Sequence, residues 1–203
     1  MTQEKIDNVI SELDFLEGVY RKLLHLLPSF EIANIDLLPY GLKPHTRSVS
    51  WIVEQVINQQ TKKHQQALGL TDVDFDMPDT CLHDCVLSVG EKKYYVNIKI
   101  HNMDGKSSRN DISAVEKLYT KYQSNPDYDL IYACFGIKFD QHSIHFDADY
   151  LKLFSPQFLP VYVNPRNDKI QALYHHTAIP RTRKEFLDLL VAHSKTITLT
   201  NDH

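Results

Sequence analysis

Asp84, Asn97, Ile98 and Lys99 lie on a predicted β-hairpin and offer the groups that hydrolyse a phosphodiester with the help of a metal ion. The apolar runs CVLSV and YYVNIKI, separated by the turn residues GEKK, predict two adjacent strands, with Asp84 at the start of the first. Residues two apart point to the same face of a strand, so Asn97 and Lys99 are expected to face one cleft.

This chemistry requires a divalent cation that holds a water molecule and a phosphate oxygen, and such a cation prefers oxygen ligands. We expect Asp84 to bind Mg²⁺ through its carboxylate, Asn97 through its amide oxygen and Ile98 through its backbone carbonyl. Glu54, on the second predicted helix, could add a carboxylate directly or through water. Lys99 is expected to orient the attacking water and to stabilise the charge of the transition state. Because an amide ligand is uncharged, Asn97 should weaken the affinity for Mg²⁺.

The elements that position this hairpin follow from hydrophobic periodicity. Four helices are predicted: roughly 3–26, roughly 46–66, a third capped by Asn110 or Asp111, and a last one over RTRKEFLDLLVAHS. The largely apolar run DLIYACFGIKF predicts a central strand buried on both faces, and SIHF, PVYVN and IQALY predict further short strands. This order predicts one α/β domain over residues 1–203, with a mixed central β-sheet flanked by helices.

Composition and charge narrow the class of protein. With 203 residues, 42% hydrophobic and 24% charged, the chain is typical of a soluble globular domain. A net charge of −4 does not exclude DNA binding, because a metal site itself contributes acidic residues. No apolar stretch is long enough to span a bilayer, and the mixed polar N-terminus is unlike a signal peptide. Three sparse cysteines fit a reduced cytoplasm, so we expect a cytoplasmic protein without a membrane partner.

The pattern Asp84 … Asn97-Ile98-Lys99 resembles the PD-(D/E)XK motif of nucleases, and the longer stretch NIKIHNMDGKSSRNDISAVEKLYTKY is similar to type II restriction endonucleases. The resemblance continues in the same order through IHFDADYLKLFSPQFLPVYVN, KIQALYHH and RTRKEFLDLLVAHS. It covers roughly residues 46–195, the expected catalytic core, and leaves the helix 3–26 to dimerisation or packing. It implies a PD-(D/E)XK restriction-endonuclease-like fold, with Asp84 as metal ligand and Lys99 as catalytic lysine.

The resemblance also implies a substrate, a cofactor and partners. The substrate would be double-stranded DNA, hydrolysed at a short palindromic site with Mg²⁺, for which Mn²⁺ would substitute. Two-fold symmetric DNA is matched by a two-fold symmetric protein, so a homodimer is expected. A cognate DNA methyltransferase is expected in the same bacterial system.

Asn97 departs from the family pattern, which has an acid at this position. Three interpretations stay open: a tolerated variant in an active enzyme, an engineered knock-out that lets DNA be bound uncut, or a natural inactive relative that recognises DNA without cutting it. A repair-type nuclease of the same fold, cutting at mismatches or damage, is a further alternative.

Two segments are expected to contact DNA. The first comprises Lys106, Ser107, Ser108, Arg109 and Asn110, and the second comprises Asn164, Arg166, Asn167 and Asp168. A loop with serines ahead of a helix suits phosphate contact, while Arg can bond guanine and Asn can bond adenine through two hydrogen bonds each. The resemblance implies that both segments read bases.

Other chemistries are less well supported by the sequence. Cys81, His83, Cys85 and His101 raise the alternative of zinc, but alternate residues of a strand lie roughly 6–7 Å apart, which is too spread for one ion. The chain has no G-x-x-x-x-G-K-[ST], G-x-G-x-x-G or G-x-S-x-G pattern, which argues against NTPase, dinucleotide-binding and α/β-hydrolase chemistry.

Overall fold

The computed structural model describes residues 2–40, 46–78, 80–105 and 110–194, without the side chains of 2–4, 46–48, 110, 112 and 113. Four α-helices are described: α1 (Thr2–Leu24), α2 (Thr46–Lys63), α3 (Val115–Ser124) and α4 (Arg183–His193). The main sheet contains β1 (Phe30–Glu31), β2 (Asp72–Asp74), β3 (Cys85–Val89), β4 (Lys92–Asn102), β6 (Leu130–Phe139) and β7 (Ser143–Phe154). A second sheet contains β5 (Asn110–Ala114), β8 (Tyr162–Asn164) and β9 (Lys169–Ala172).

The main sheet is mixed, as the sequence predicts. Its strands lie in the order β1-β7-β6-β4-β3-β2, and only the central β4–β6 pair is parallel. The chain passes from β4 to β6 through β5 and α3, which is the helical crossover that a parallel pair requires. The predicted α/β class with a mixed central sheet flanked by helices is therefore confirmed.

Helices cover both faces of the main sheet, and each face has its own hydrophobic core. On one face α1 and α2 pack through residues such as Leu16, Tyr20 and Val53. On the other face α3, α4 and the second sheet pack through residues such as Leu118 and Phe186. Strand β6 is buried from Leu130 to Ile137 because it lies between these two cores, which explains its almost continuous apolar sequence.

The alternation of β4 decides which of its side chains reach the candidate site. Val96 and Ile98 point into the core beneath α1 and α2. Asn97 and Lys99 therefore point to the opposite face, beside Tyr132 and Cys134 of β6, with which they are paired in register. The predicted common direction of Asn97 and Lys99 is thus present in the fold.

The third helix begins later than the sequence predicted. Asn110 and Asp111 do not cap it; the segment 110–114 forms β5, which pairs with β9, and the helix begins at Val115. The first amide of the helix, that of Val115, donates instead to the backbone carbonyl of Asp168. The local pattern suited a helix start, but pairing with a distant strand decided the outcome.

The remaining differences concern short or interrupted strands. The sequence did not predict β1 or β2, which are two and three residues long. The predicted short strand SIHF extends through the polar DADY to Phe154, because a register shift after Phe135 lets β6 pair with both of its halves. Helix α2 ends at Lys63 rather than near residue 66. No helix in the described ranges combines the length and apolarity needed to cross a membrane.

Candidate active site

The β3–β4 ladder ends where the candidate site begins. The last paired residues are Cys85 and Val96, and one residue earlier the amide of Asp84 still donates to the carbonyl of Val96 at 2.9 Å. Cys85 is fully buried in the core beneath α1 and α2, so Asp84 points to the opposite face. This is the face of Asn97 and Lys99, and the side chain of Asp84 lies beside that of Asn97.

The backbone N–H and the backbone carbonyl of Ile98 each bond one of the two charged side chains of the site. In an antiparallel pair, backbone groups two residues apart point the same way, so Ile98 points its N–H and carbonyl toward β3, as Val96 does. Because β3 begins only at Cys85, side chains satisfy these groups instead. Asp84 Oδ2 accepts from the Ile98 amide at 2.7 Å, and Lys99 Nζ donates to the Ile98 carbonyl at 3.0 Å. The predicted convergence of Asp84 and Lys99 is thus present.

Asn97 is buried, with 7% of its surface exposed, and uses its amide group as a donor. Its Nδ2 donates to the Leu82 carbonyl at 2.9 Å and to Asp84 Oδ1 at 3.4 Å. Its Oδ1 is buried and has no hydrogen-bond partner in the described part of the chain. A buried acceptor without a partner costs free energy, about 1–3 kcal/mol, unless another group satisfies it.

The charges of Asp84 and Lys99 act on each other in a partly buried setting. Burial raises the pKa of Asp84, while the Lys99 ammonium and the Ile98 amide oppose that rise. Lys99 also lies over the ring of Tyr132, 5.6 Å from its centre. Tyr132 is completely buried and is paired in register with Asn97, so its ring lies beneath the side chains of the site.

Glu54 approaches from α2 on the other side of the sheet. Burial raises its pKa from the ordinary value of 4.5 to about 7; the negative charge of Asp84 adds to the rise, and Lys99 opposes it. The helix is held by Val53 and Ile57, which are buried in the core on either side of Glu54. The carboxyl of Glu54 is therefore close enough to Asp84 and Lys99 to interact with both electrostatically.

The donor set suits a hard divalent cation better than a thiophilic one. It would comprise the carboxylates of Asp84 and Glu54, the Asn97 Oδ1 atom and the Ile98 carbonyl, all of them oxygens. Two observations fit a cation here: Asn97 Oδ1 has no partner, and the Ile98 carbonyl already accepts from a positive charge. Over the described ranges, no three His, Cys, Asp or Glu side chains gather as a metal-binding group, so this set depends on its amide and backbone oxygens.

Two residues of the zinc alternative, His83 and Cys85, contact different tyrosines on opposite faces of the main sheet. His83 Nδ1 lies 3.1 Å from the hydroxyl of Tyr128, and Cys85 Sγ lies 3.9 Å from the hydroxyl of Tyr20. Tyr128 and Tyr20 belong to the cores on opposite faces of the main sheet. These contacts give His83 and Cys85 structural roles in packing.

The second sheet unites the two segments that are expected to contact DNA. Residues 106–109 of the first segment lie outside the described residues, whereas the backbone of Asn110 opens β5. The second segment forms the turn between β8 and β9, and β9 pairs with β5 so that Asn110 lies opposite Ala172. The two segments therefore adjoin the same small sheet.

Within the turn, the four predicted residues have different surroundings. Asn164 Oδ1 accepts from the Arg166 amide at 3.1 Å, which shapes the turn, and Arg166 is exposed. Asn167 is also exposed and donates to Asp111. Asp168 has a positive φ of 50° and turns its carboxylate toward the hydroxyl of Ser194 at 3.0 Å. DNA contact by these residues stays a prediction, with the exposed Arg166 the best placed of the four.

Sequence reasoning missed two residues of this surface, Asp111 and Gln171. The sequence pattern predicts Asp111 as a candidate helix cap and predicts no role for Gln171. Asp111 accepts from Gln171 Nε2 at 2.7 Å and from Asn167 Nδ2 at 2.8 Å. The polar, alternating residues of KIQA were the available signal, since Gln171 follows the buried Ile170.

Comparison with known proteins supports the fold. No protein-family model matches the chain, and no curated protein matches it in sequence. Among the solved structures, NlaIV restriction endonuclease superposes with a TM-score of 0.55 at 13% identity, over 96% of this chain and 81% of that one. At this identity the likeness shows the fold alone, which is a restriction endonuclease fold. It does not support the more specific prediction, made from the stretch from Asn97 to Tyr122, of a likeness to the restriction endonuclease HincII.

Proposed function

We propose that this protein is a Mg²⁺-dependent type II restriction endonuclease that hydrolyses both strands of double-stranded DNA at a short palindromic site. The observation that carries the proposal is the convergence of Asp84 and Lys99 on the backbone N–H and carbonyl of Ile98, within a restriction endonuclease fold. Neither part is sufficient alone, because one fold hosts many functions and a single acid–lysine pair occurs in many proteins.

Four oxygen donors would hold the cation: the carboxylates of Asp84 and Glu54, Asn97 Oδ1 and the Ile98 carbonyl. When bound, Mg²⁺ supplies a Lewis acid that lowers the pKa of a water ligand and offsets the charge on phosphate. Mn²⁺, which accepts the same oxygen ligands, is expected to substitute. The backbone amide of Ile98 holds the Asp84 carboxylate in place, so this ligand is oriented before the cation arrives.

Lys99 is the group that acts on the reacting atoms. Its ammonium donates to the Ile98 carbonyl. A bound cation would compete with the ammonium for that carbonyl. The Lys99 side chain is long enough to turn instead toward a phosphate in the cleft. There it would orient the nucleophilic water and stabilise the negative charge on the phosphate oxygens. The Tyr132 ring beneath it restricts the directions open to the side chain.

Recognition of DNA is assigned to the second sheet and the segments next to it. The expected contacts come from Lys106, Ser107, Ser108, Arg109 and Asn110, and from Asn164, Arg166, Asn167 and Asp168. Cleavage of both strands at a palindromic site requires two such sites related by two-fold symmetry, which a homodimer provides. A cognate methyltransferase would protect the host DNA in a cytoplasmic restriction-modification system.

A second candidate function is sequence-specific DNA binding without cleavage. The observation that favours it is the Asn97 amide, which donates to Leu82 and Asp84 and adds no negative charge. A site with fewer charged ligands binds Mg²⁺ more weakly. The two candidates therefore share the DNA surface and differ in whether the metal site is occupied under working conditions.

The test is an incubation of phage DNA with the purified protein and Mg²⁺. The variants Asn97→Asp and Lys99→Ala are assayed in parallel, with EDTA as the metal-free control. Discrete fragments from the wild-type protein, lost in Lys99→Ala and in EDTA, would support the enzyme. Cleavage by Asn97→Asp alone would support the binding protein. If neither the wild-type protein nor Asn97→Asp cleaves DNA, and neither binds it in gel shifts, both proposed functions are rejected.

A further inference from the structure

The outward face of the second sheet carries a row of three side chains. Tyr162 of β8 lies opposite Gln171 of β9, and Gln171 lies opposite Asp111 of β5. Their neighbours Ile170 and Ala172 are buried in the core beneath α3 and α4, so the row points away from the protein. Tyr162 is 46% exposed and Asp111 is exposed.

Asp111 fixes the orientation of two amide side chains. Its Oδ1 accepts from Gln171 Nε2 at 2.7 Å, and its Oδ2 accepts from Asn167 Nδ2 at 2.8 Å. An ionised carboxylate can only accept, so both amides must turn their nitrogen atoms toward it. The Oδ1 atom of Asn167 accepts from the Lys169 amide at 3.2 Å, which leaves this side chain little to offer a ligand.

The carboxylate of Asp111 stays ionised in this arrangement. Partial burial alone would raise its pKa, but the hydrogen bonds from the amides of Asn167, Gln171 and Asn164 and the charge of Lys169 outweigh that effect and lower the pKa. Its negative charge is consequently engaged by these amides and the lysine. The orientation of the Gln171 amide is therefore stable over the range of pH in which proteins usually work.

Among the described residues, Asp111 is the partner of the Gln171 amide, which leaves one N–H and the Oε1 atom for a ligand. An amide that presents an N–H beside an acceptor oxygen complements the major-groove edge of adenine, which offers N7 as acceptor and N6–H₂ as donor. The width of the row of Tyr162, Gln171 and Asp111 also fits the major groove. Adjacent strands lie about 4.8 Å apart, so the row spans about 10 Å, close to the roughly 12 Å width of the major groove.

We propose that Gln171, held by Asp111, reads an adenine in the major groove and is a specificity-determining residue of this protein. The inference rests on the proposed function, because it takes duplex DNA as the ligand. Arg166, exposed in the adjoining turn, and Lys169 supply positive charge for the flanking phosphates. A protein partner fits less well, because two of the three side chains in the row are polar or charged and Tyr162 is the only aromatic among them.

The experiment is a selection from duplex DNA with a randomised central segment. The full-length protein is incubated with this pool and Mg²⁺, and bound and cut molecules are both sequenced. The same selection is run with Gln171→Ala, with Gln171→Met, which keeps the length of the side chain, and with Asp111→Asn. The variant Gln123→Ala, which changes an exposed glutamine on α3, is the matched control.

We expect the wild-type protein and Gln123→Ala to enrich the same motif. Both Gln171 variants should lose the preference for adenine at one position of each half-site, by about fivefold to a hundredfold, and keep the preferences elsewhere. Asp111→Asn should weaken the same position, because an asparagine no longer forces both amides to turn their nitrogens inward.

Two results would overturn the inference, and they can be told apart. An unchanged motif in both Gln171 variants, or an equal loss of preference at every position, would reject the role of Gln171 and leave the proposed function intact. Absence of any enriched motif with the wild-type protein would reject the proposed site-specific recognition, and the inference with it.

Discussion

The carboxylate of Asp84 accepts a hydrogen bond from the backbone amide of Ile98 at 2.7 Å, across the open end of the β3–β4 hairpin. Lys99 donates to the carbonyl of the same residue, so one residue separates a negative from a positive side chain. The arrangement arises because the β3–β4 ladder ends at the pair of Cys85 and Val96, two residues before Ile98. The early end of the strand pairing thus leaves the N–H and carbonyl of Ile98 to bond two charged side chains.

Replacing Asp84 separates its structural contribution from its role as a ligand. Asp84→Ala leaves the partly buried Ile98 amide without an acceptor and should lower the free energy of unfolding by about 1–3 kcal/mol. Asp84→Asn keeps an acceptor oxygen and should lose less stability, while both variants should lose Mg²⁺ binding. Urea unfolding and calorimetric titration with Mn²⁺ measure the two effects. Equal Mn²⁺ affinity in Asp84→Asn and the wild-type protein would contradict the assignment.

An acid at position 97 should lower the stability of the metal-free protein and raise its affinity for Mg²⁺. Asn97→Asp loses the donor to the Leu82 carbonyl and adds a negative charge beside Asp84. Without metal, we expect it to be less stable by about 1–3 kcal/mol. With Mg²⁺, the added charge should raise metal affinity by about tenfold or more and recover the stability. Thermal unfolding with and without Mg²⁺ checks this; a variant that Mg²⁺ stabilises no more than the wild-type protein would refute it.

Glu54 should make stability depend on pH. Its pKa in the folded protein, about 7, exceeds the ordinary value of 4.5, so the folded state binds the proton more tightly. The associated stability is complete below pH 4.5 and is lost as the pH rises through 7. Because the side chain is partly exposed, we expect the loss to be about 1–2 kcal/mol.

The variant Glu54→Gln isolates this effect. Its free energy of unfolding should not show the fall between pH 4.5 and 7, and it should exceed that of the wild-type protein at pH 8. Glu31→Gln, which changes an exposed glutamate at the end of β1, is the control. Urea unfolding without metal at pH 5 and pH 8 gives the comparison, and parallel pH profiles of the wild-type protein and Glu54→Gln would show that the carboxyl of Glu54 is not perturbed.

Lys99 should affect the rate of cleavage rather than DNA affinity. In the Asn97→Asp background, Lys99→Met keeps an unbranched chain over Tyr132 and removes the ammonium, so cleavage should slow by about 10²–10³. Binding measured by gel shift should change little, because many phosphate contacts share the electrostatic attraction. Lys152→Met, an exposed lysine on β7, is the matched control. Retained cleavage in Lys99→Met would exclude a catalytic role.

The candidate site was predictable because its key relations are local. Two strands joined by a short turn place Asp84 beside Asn97. The alternation of side chains then turns Lys99 to the same face. The sequence could not show that the ladder stops at Cys85, which is what turns Ile98 into the meeting point of both charges. Nor could it show how closely Glu54 approaches, because that depends on how α2 packs on the sheet.

The second sheet was harder to predict because its contacts are distant in sequence. The stretch NDISA contains suitable cap residues and apolar spacing, yet it becomes a strand by pairing with β9, about sixty residues later. The side chain of Asp111 then bonds two amides that are equally remote from it. Such pairing outweighs the local preference of this segment for a helix, because strand formation depends mainly on contacts with neighbouring strands.

The most direct test of the central claim is the position of a Mn²⁺ ion in crystals soaked at millimolar concentration, read from its anomalous scattering. We expect a peak within coordination distance, about 2.1 Å, of the Asp84 carboxylate and the Ile98 carbonyl, with the Lys99 amine moved off that carbonyl. A peak elsewhere, or none while Lys99 still donates to Ile98, would contradict the assignment of this hairpin as a nuclease metal site.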